Sequence, residues 1–169
     1  RKDARLPFFG TRMRHIPAQS FLDEYHQIPA EGEARRAAEE YMRLAREIHG
    51  PTEEDVVNGV KSYFAARAIL RREEGDGITM DCLGALGRTK VSLPCISWSR
   101  MLDQGIPAAC EADLGACVAH ALVQLLFDRP GFQQDPVAET ARGGLIGAHC
   151  TCPTRLRGFD QPPEPFRLS

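Results

Sequence analysis

Neither sign of charge is in excess in this sequence: its 169 residues carry 21 Lys and Arg against 23 Asp and Glu, a formal net charge of −2. The balance holds along the chain, with 13 basic and 13 acidic residues up to position 75 and 8 against 10 beyond it. Neutralising phosphates takes a basic stripe, so nucleic acid is not an expected partner. No apolar run is long enough to span a bilayer and no secretory signal is visible. No membrane partner is therefore expected, and the reading is cytoplasmic. Also missing are a Walker loop, a dinucleotide-binding Gly fingerprint and a Gly-x-Ser-x-Gly elbow; Gly75-Asp-Gly77 is too short to stand for one. No cysteine precedes Cys82. A chain of this size with a proper core does not need disulfides, so the six cysteines are expected as reduced, buried thiols.

What the sequence does have is the composition of a globular protein, 43% apolar and 26% charged, which weighs against wholesale disorder. Pro7, Pro17 and Pro29 break up residues 1–31, read as loops around one short element at Phe21–Tyr25. From Glu33 to His49 apolar residues line one face of a predicted helix that Gly50-Pro51 stops. On its other face Arg35, Arg36, Arg43 and Arg46 alternate with Glu33, Glu39, Glu40 and Glu47, a solvated pattern of pairs three and four apart. Thr52 followed by Asp55 resembles a capping box and opens a second helix over 53–74. Its predicted buried set is Val56, Val57, Val60, Tyr63, Phe64, Ile69 and Leu70, and Gly75 fits its end. A short apolar strand, Gly77–Cys82, then ends near Asp81 and runs into a Gly-rich loop. Pro94 opens a helix to Leu102, Ile106–Cys110 reads as another strand, and Ala112–Phe127 as a nearly uniformly apolar helix. Strand, helix, strand, helix in this order predicts a parallel, right-handed, Rossmann-like α/β unit. Beyond Gly131 the helices stop, and Phe132–Asp135 and Gly144–Cys150 read as strands. The expected division is an α/β middle domain over 1–130, incomplete at its N-terminus, and the start of a β-rich C-terminal domain over 131–169.

In an open parallel sheet, ligands collect beyond the carboxyl ends of the strands. Asp81 and Glu111 are both predicted at such ends; the structural alternative is that each caps the helix that follows. Asp135 and His149 each close a short apolar run, where an Asp before Pro is ordinarily a turn residue and a single His a hydrogen-bonded structural one. Together, Glu111, Asp135 and His149 offer two oxygens and a nitrogen, a set suited to Mn²⁺, Mg²⁺ or another divalent cation. His149-Cys150-Thr-Cys152 invites a reading as half of a zinc site. A structural zinc takes four ligands in two close pairs, and Cys82, Cys95, Cys110 and Cys117 supply no second pair. Cys110, flanked by Ala on a strand, reads as a buried, inert thiol rather than a nucleophile.

Four segments carry a likeness to a known family: Asp76-Gly-Ile-Thr-Met-Asp-Cys-Leu-Gly84, Pro107-Ala-Ala-Cys-Glu-Ala-Asp113, Asp135-Pro136 and Gly147-Ala-His-Cys-Thr-Cys-Pro153. The chain resembles the L-fucose/L-arabinose isomerase superfamily, its fucose-isomerase-like branch in particular. The specific parts are Cys-Glu-Ala-Asp and Ala-His-Cys; the helices before residue 75 add little. The resemblance implies an aldose–ketose isomerase that uses Mn²⁺, or another divalent cation such as Mg²⁺ or Co²⁺, on a small sugar. It implies that Glu111 and Asp135 bind the metal and bracket the sugar's first two carbons. His149 would be a ligand or would contact a substrate hydroxyl, and Asp81 would contact substrate. A homo-oligomer is also implied, because relatives share sites between subunits. Relatives are much longer, and a further His completes their ligand set, so the chain is expected to be a middle segment of a longer protein. The rival expectation is a non-catalytic sugar-binding or assembly module of the same fold.

Overall fold

The computed structural model of the chain describes residues 3–6, 10–85 and 91–169. Where loops are expected, β1 (Asp3–Leu6) pairs antiparallel with β2 (Thr11–Arg14). The short element expected at Phe21–Tyr25 is a ten-residue helix, α1 (Ala18–Gln27), which buries those two aromatics. Pro17 stands just before it, where a missing amide leaves no bond unmade. The next helix, α2 (Glu33–Leu44), ends five residues before the predicted stop. Its exit is dictated from elsewhere in the chain: the Arg46 and His49 amides both donate to backbone carbonyls near the C-terminus, at 2.8 Å to Phe166 and 2.8 Å to Leu168. These bonds draw residues 47–48 into a strand, β3 (Glu47–Ile48).

The capping box at Thr52 is real. The Asp55 amide donates to Thr52 Oγ1 at 3.2 Å, and the Thr52 amide donates back to Asp55 Oδ2 at 2.8 Å. Asp thus does what a longer Glu or Gln does elsewhere. The helix it opens, α3 (Glu53–Glu73), ends at a left-handed Glu74, and the Gly75 amide turns back to the Leu70 carbonyl at 2.9 Å. Val56, Val57, Val60, Ile69 and Leu70 are buried as predicted, whereas Tyr63 and Phe64 are half-buried. Arg35 leaves its own helix to pair with Glu31 and Glu53.

After α3 come β4 (Ile78–Thr79), a four-residue helix α4 (Cys82–Ala85), α5 (Cys95–Leu102) capped by Pro94, β5 (Ala108–Ala109) and α6 (Leu114–Phe127). The Gly-rich loop expected after Cys82 falls largely on residues 86–90, outside the described residues. β4 and β5 pair in parallel, Ile78 with Ala108 and Thr79 with Ala109. The chain is therefore mixed α and β with a parallel strand–helix–strand–helix unit. Among the described residues, however, each sheet has only two strands.

One core lies between α1, α3, α5 and β5, around the fully buried Trp98 and Met101; a second lies between α2 and α3, around Ala38, Val57 and Val60. Gly59 sets the approach of α3 to α5, since a Cβ there would sit 2.6 Å from Ile96 Cγ2. In the space left, Ser97 Oγ donates to the Gly59 carbonyl at 2.6 Å.

The last segment makes a hairpin and then returns. β6 (Asp135–Glu139) pairs antiparallel with β7 (Gly144–Ala148). The first of these strands thus begins at Asp135 rather than ending there as expected. The stretch 132–134 instead runs down to the end of β5, where Gln133 Oε1 accepts from the Cys110 amide at 3.0 Å. From Thr151 the chain packs back on α5. Asp103 accepts from the Thr154 amide, the Arg155 amide and Thr154 Oγ1 at 2.7, 2.8 and 2.6 Å. Ser99 Oγ donates to the Cys152 carbonyl at 2.6 Å. Finally β8 (Arg167–Leu168) pairs in parallel with β3.

Candidate metal centre

The site begins where β5 ends. Glu111 and Ala112 both take left-handed backbone, with φ of 62° and 55°, a conformation that costs an L-residue roughly 1–2 kcal/mol. The turn is held by the Ala112 amide on the Met80 carbonyl and the Asp113 amide on the Cys110 carbonyl, both at 3.0 Å. It also decides which acid caps α6. Asp113 does so, accepting from the Ala116 amide at 2.8 Å, and Glu111 is left with its carboxylate free of the helix. The structural alternative for Glu111 is thereby removed. For Asp81 it holds: its Oδ1 accepts from the Gly84 amide at 2.8 Å, and its carboxylate serves the short helix α4.

Asp135 and His149 come together through strand register. Asp135 pairs with Ala148, so the antiparallel hairpin sets it beside the residue that precedes His149. The bond from Cys110 to Gln133 then ties the start of this hairpin to the strand that carries Glu111. His149 Nε2 lies 3.9 Å from Glu111 Oε1 and 3.9 Å from Asp135 Oδ2. Its ligand atom and those of the two acids all fall within 4.8 Å of one another. Among the described residues, these contacts with His149 are the only ion pairs that either acid makes.

The His149 side chain is only 4% exposed, against 36% for Glu111 and 64% for Asp135. Its other ring nitrogen, Nδ1, lies 3.2 Å from Thr151 Oγ1 and 3.7 Å from Cys150 Sγ. A proton on Nδ1 bonded to Thr151 leaves the Nε2 lone pair aimed between two carboxylates, the arrangement in which an imidazole ligates a cation. An octahedral ion with bonds of about 2.1 Å spans ~3.0 Å between neighbouring ligands and ~4.2 Å between opposite ones. The observed 3.9 Å falls inside that range, and the two exposed acids have rotamer freedom to adjust. The donor set suits a divalent cation of the Mg²⁺ or Mn²⁺ kind, without selecting one.

Two features of this region lie beyond the sequence reading. His120, on α6, is 3% exposed and holds β5 by a hydrogen bond from Nδ1 to the Ala108 carbonyl at 3.1 Å. Burial draws its pKa below the ordinary imidazole value. The second feature is a gathering of thiols. Cys110 and Cys150, 40 positions apart in sequence, form with His149 another group whose ligand atoms lie within 4.8 Å. The neighbouring thiols pull Cys150 below the ordinary thiol range, and the same neighbours together with burial push Cys110 up. Sequence spacing carried no signal for this meeting, because it depends on the fold-back of the C-terminal hairpin. No family model matches the sequence, and no curated protein does. Among the described residues no helix is long and apolar enough to cross a membrane.

Proposed function

We propose that this chain carries the metal-and-sugar centre of a divalent-metal-dependent aldose–ketose isomerase of the L-fucose/L-arabinose isomerase type, with a Rossmann-like middle domain. The observation that carries the reading is the convergence of Glu111, Asp135 and His149 from three separate segments on one spot, with Glu111 released from helix capping. Moving a carbonyl between the first two carbons of a sugar requires removal of a proton from the carbon beside it, and passes through an enediolate. A divalent cation, Mn²⁺ in this proposal, supplies Lewis-acid stabilisation of the charge that develops on the two sugar oxygens. In this reading Glu111 and Asp135, each 3.9 Å from His149 Nε2, take the proton from one carbon and return it to the other. His149 fixes the spacing of the two acids and offers Nε2 as a ligand or as a partner for a sugar hydroxyl. Asp81, bound to the Gly84 amide, is left with at most a contact to substrate from the rim.

Glu111→Gln keeps the side-chain shape and removes the base. Turnover of L-fucose or L-arabinose with Mn²⁺ is expected to fall by about 10²–10⁴-fold, the usual contribution of a positioned general base. Near-normal turnover in this variant would sink the assignment. One observation favours the second reading, a non-catalytic sugar-binding or assembly module: the acids are open to solvent, and proton abstraction from carbon gains from the exclusion of water. Calorimetry separates the two readings, since the module binds sugar and yields no ketose. The exposed Leu125, Leu126 and Phe127 at the end of α6, and Val137, Leu145 and Ile146 on the hairpin, support the homo-oligomer. Six free thiols suit a reducing, cytoplasmic setting.

A further inference from the structure

His149 presents a different set of donors to each edge of its ring. Nε2 faces two carboxylates, each at 3.9 Å, and Nδ1 faces the Cys150 sulfur at 3.7 Å. Cys110 and Cys150 bring their sulfurs, and His149 a ring nitrogen, to within 4.8 Å of one another. A tetrahedral zinc with Zn–S near 2.3 Å and Zn–N near 2.05 Å requires a sulfur–nitrogen separation of about 3.6 Å and a sulfur–sulfur separation of about 3.8 Å. The Cys150–His149 separation is already at that value. Thiolates and imidazole together select soft or borderline d¹⁰ cations over Mg²⁺ and Mn²⁺.

We propose that Cys110, Cys150 and the Nδ1 edge of His149 form a second, thiophilic metal site for a d¹⁰ cation such as Zn²⁺ or Cd²⁺. The sequence weighed against zinc because no two close pairs are visible; the fold supplies the missing partner by laying Cys110, just after β5, against the segment after β7. Occupation of this site has a consequence for its neighbour. A neutral imidazole has one lone pair to give. When Nδ1 ligates, the ring proton moves to Nε2, which then donates to Glu111 or Asp135 and ceases to be a ligand on that side. Thr151 Oγ1 loses its bond to Nδ1 at the same time. The two sites thus oppose each other through one ring, and the opposition is reciprocal by linkage.

The test is titration of the chain with Cd²⁺, read by the ultraviolet thiolate-to-cadmium charge-transfer band. A band that saturates at one ion per chain is expected in the wild type and in the double variant Glu111→Gln, Asp135→Asn. It is expected to be lost in Cys150→Ser, whose site is exposed and tolerant of the change, and to be unaffected by Cys152→Ser. Bound Cd²⁺ is expected to weaken Mn²⁺ binding by about 5–150-fold, the usual span of a coupling between sites, as followed by the resonance of free Mn²⁺. No band in the wild type, a band retained in Cys150→Ser, or a band lost in the double carboxylate variant overturns the proposal. None of these readings needs isomerase activity, so the thiol site and the sugar-isomerase assignment stand or fall separately.

Discussion

At His120, a buried imidazole holds one carbonyl of β5 and, among the described residues, has no partner for its other nitrogen. Its charged form is the one that burial disfavours, so its folded pKa lies below the ordinary value of about 6.5. The unfolded chain therefore takes up the proton first as the pH falls. The stability contributed by the neutral ring is whole above about pH 6.5 and is lost progressively as pH drops from there towards the folded pKa. Denaturant titrations above and below that value should show a weaker fold on the acid side. In His120→Asn, whose amide can still reach the Ala108 carbonyl but does not titrate, that part of the slope should vanish. Equal slopes in the two proteins would contradict the role given to burial. The left-handed pair at Glu111 and Ala112 belongs to the same scale. Strain of this kind persists where surrounding bonds fix it, and here the bonds to Met80 and Cys110 do so.

Elements explain what single residues do not. His149 follows directly on a hairpin whose own side chains are largely exposed, yet it is itself nearly buried. The difference comes from α5, whose Asp103 and Ser99 bind the backbone at 152–155. Removing the Asp103 carboxylate leaves the part-buried Thr154 and Arg155 amides unpaired, at about 1–3 kcal/mol for each group so stranded. Asp103→Ala should accordingly destabilise the chain by roughly 2–4 kcal/mol, with weaker Mn²⁺ binding measured at a temperature where the variant is still folded. Unchanged affinity would mean that α5 does not position His149. The elements the sequence made legible are those with local signals: α3 through its reciprocal cap, α5 through Pro94, and the parallel β4–β5 order through short apolar runs. Those it hid are set by distant partners. The end of α2 is decided by Phe166 and Leu168, and the return at 151–168 has neither apolar period nor cap, being held by side chain–backbone bonds. The candidate site shows both cases. The sequence put Glu111, Asp135 and His149 at the ends of apolar runs. Their meeting depends on the 135–148 register, and the thiol cluster on a fold-back that no spacing announces.

For the whole molecule, the unusual feature is apolar surface left uncovered. A helix that is apolar nearly all round is normally enclosed. In α6 only His120 is fully buried, and Leu125 is 83% exposed. A patch of this kind marks an interaction surface, and under the proposed function the cover is another subunit. Sedimentation should show association that strengthens with concentration and is reduced in Leu126→Glu; a monomer at all concentrations would refute the shared assembly. The parallel pairing of β3 with β8 joins Glu47 to Arg167 and Ile48 to Leu168, and this closure has a kinetic consequence. Pairings so far apart in sequence form slowly, because the long loop must be closed before any contact rewards it. The helices α1 to α3 can assemble while the chain is still emerging. The pairing of β3 must wait for the residues around 167. The β3–β8 seam therefore forms after the helices and, being only two residues long, is among the first parts of the described fold to open. A substitution that weakens this pairing, such as Ile48→Pro, would accordingly free the end of α2 without touching the helical cores.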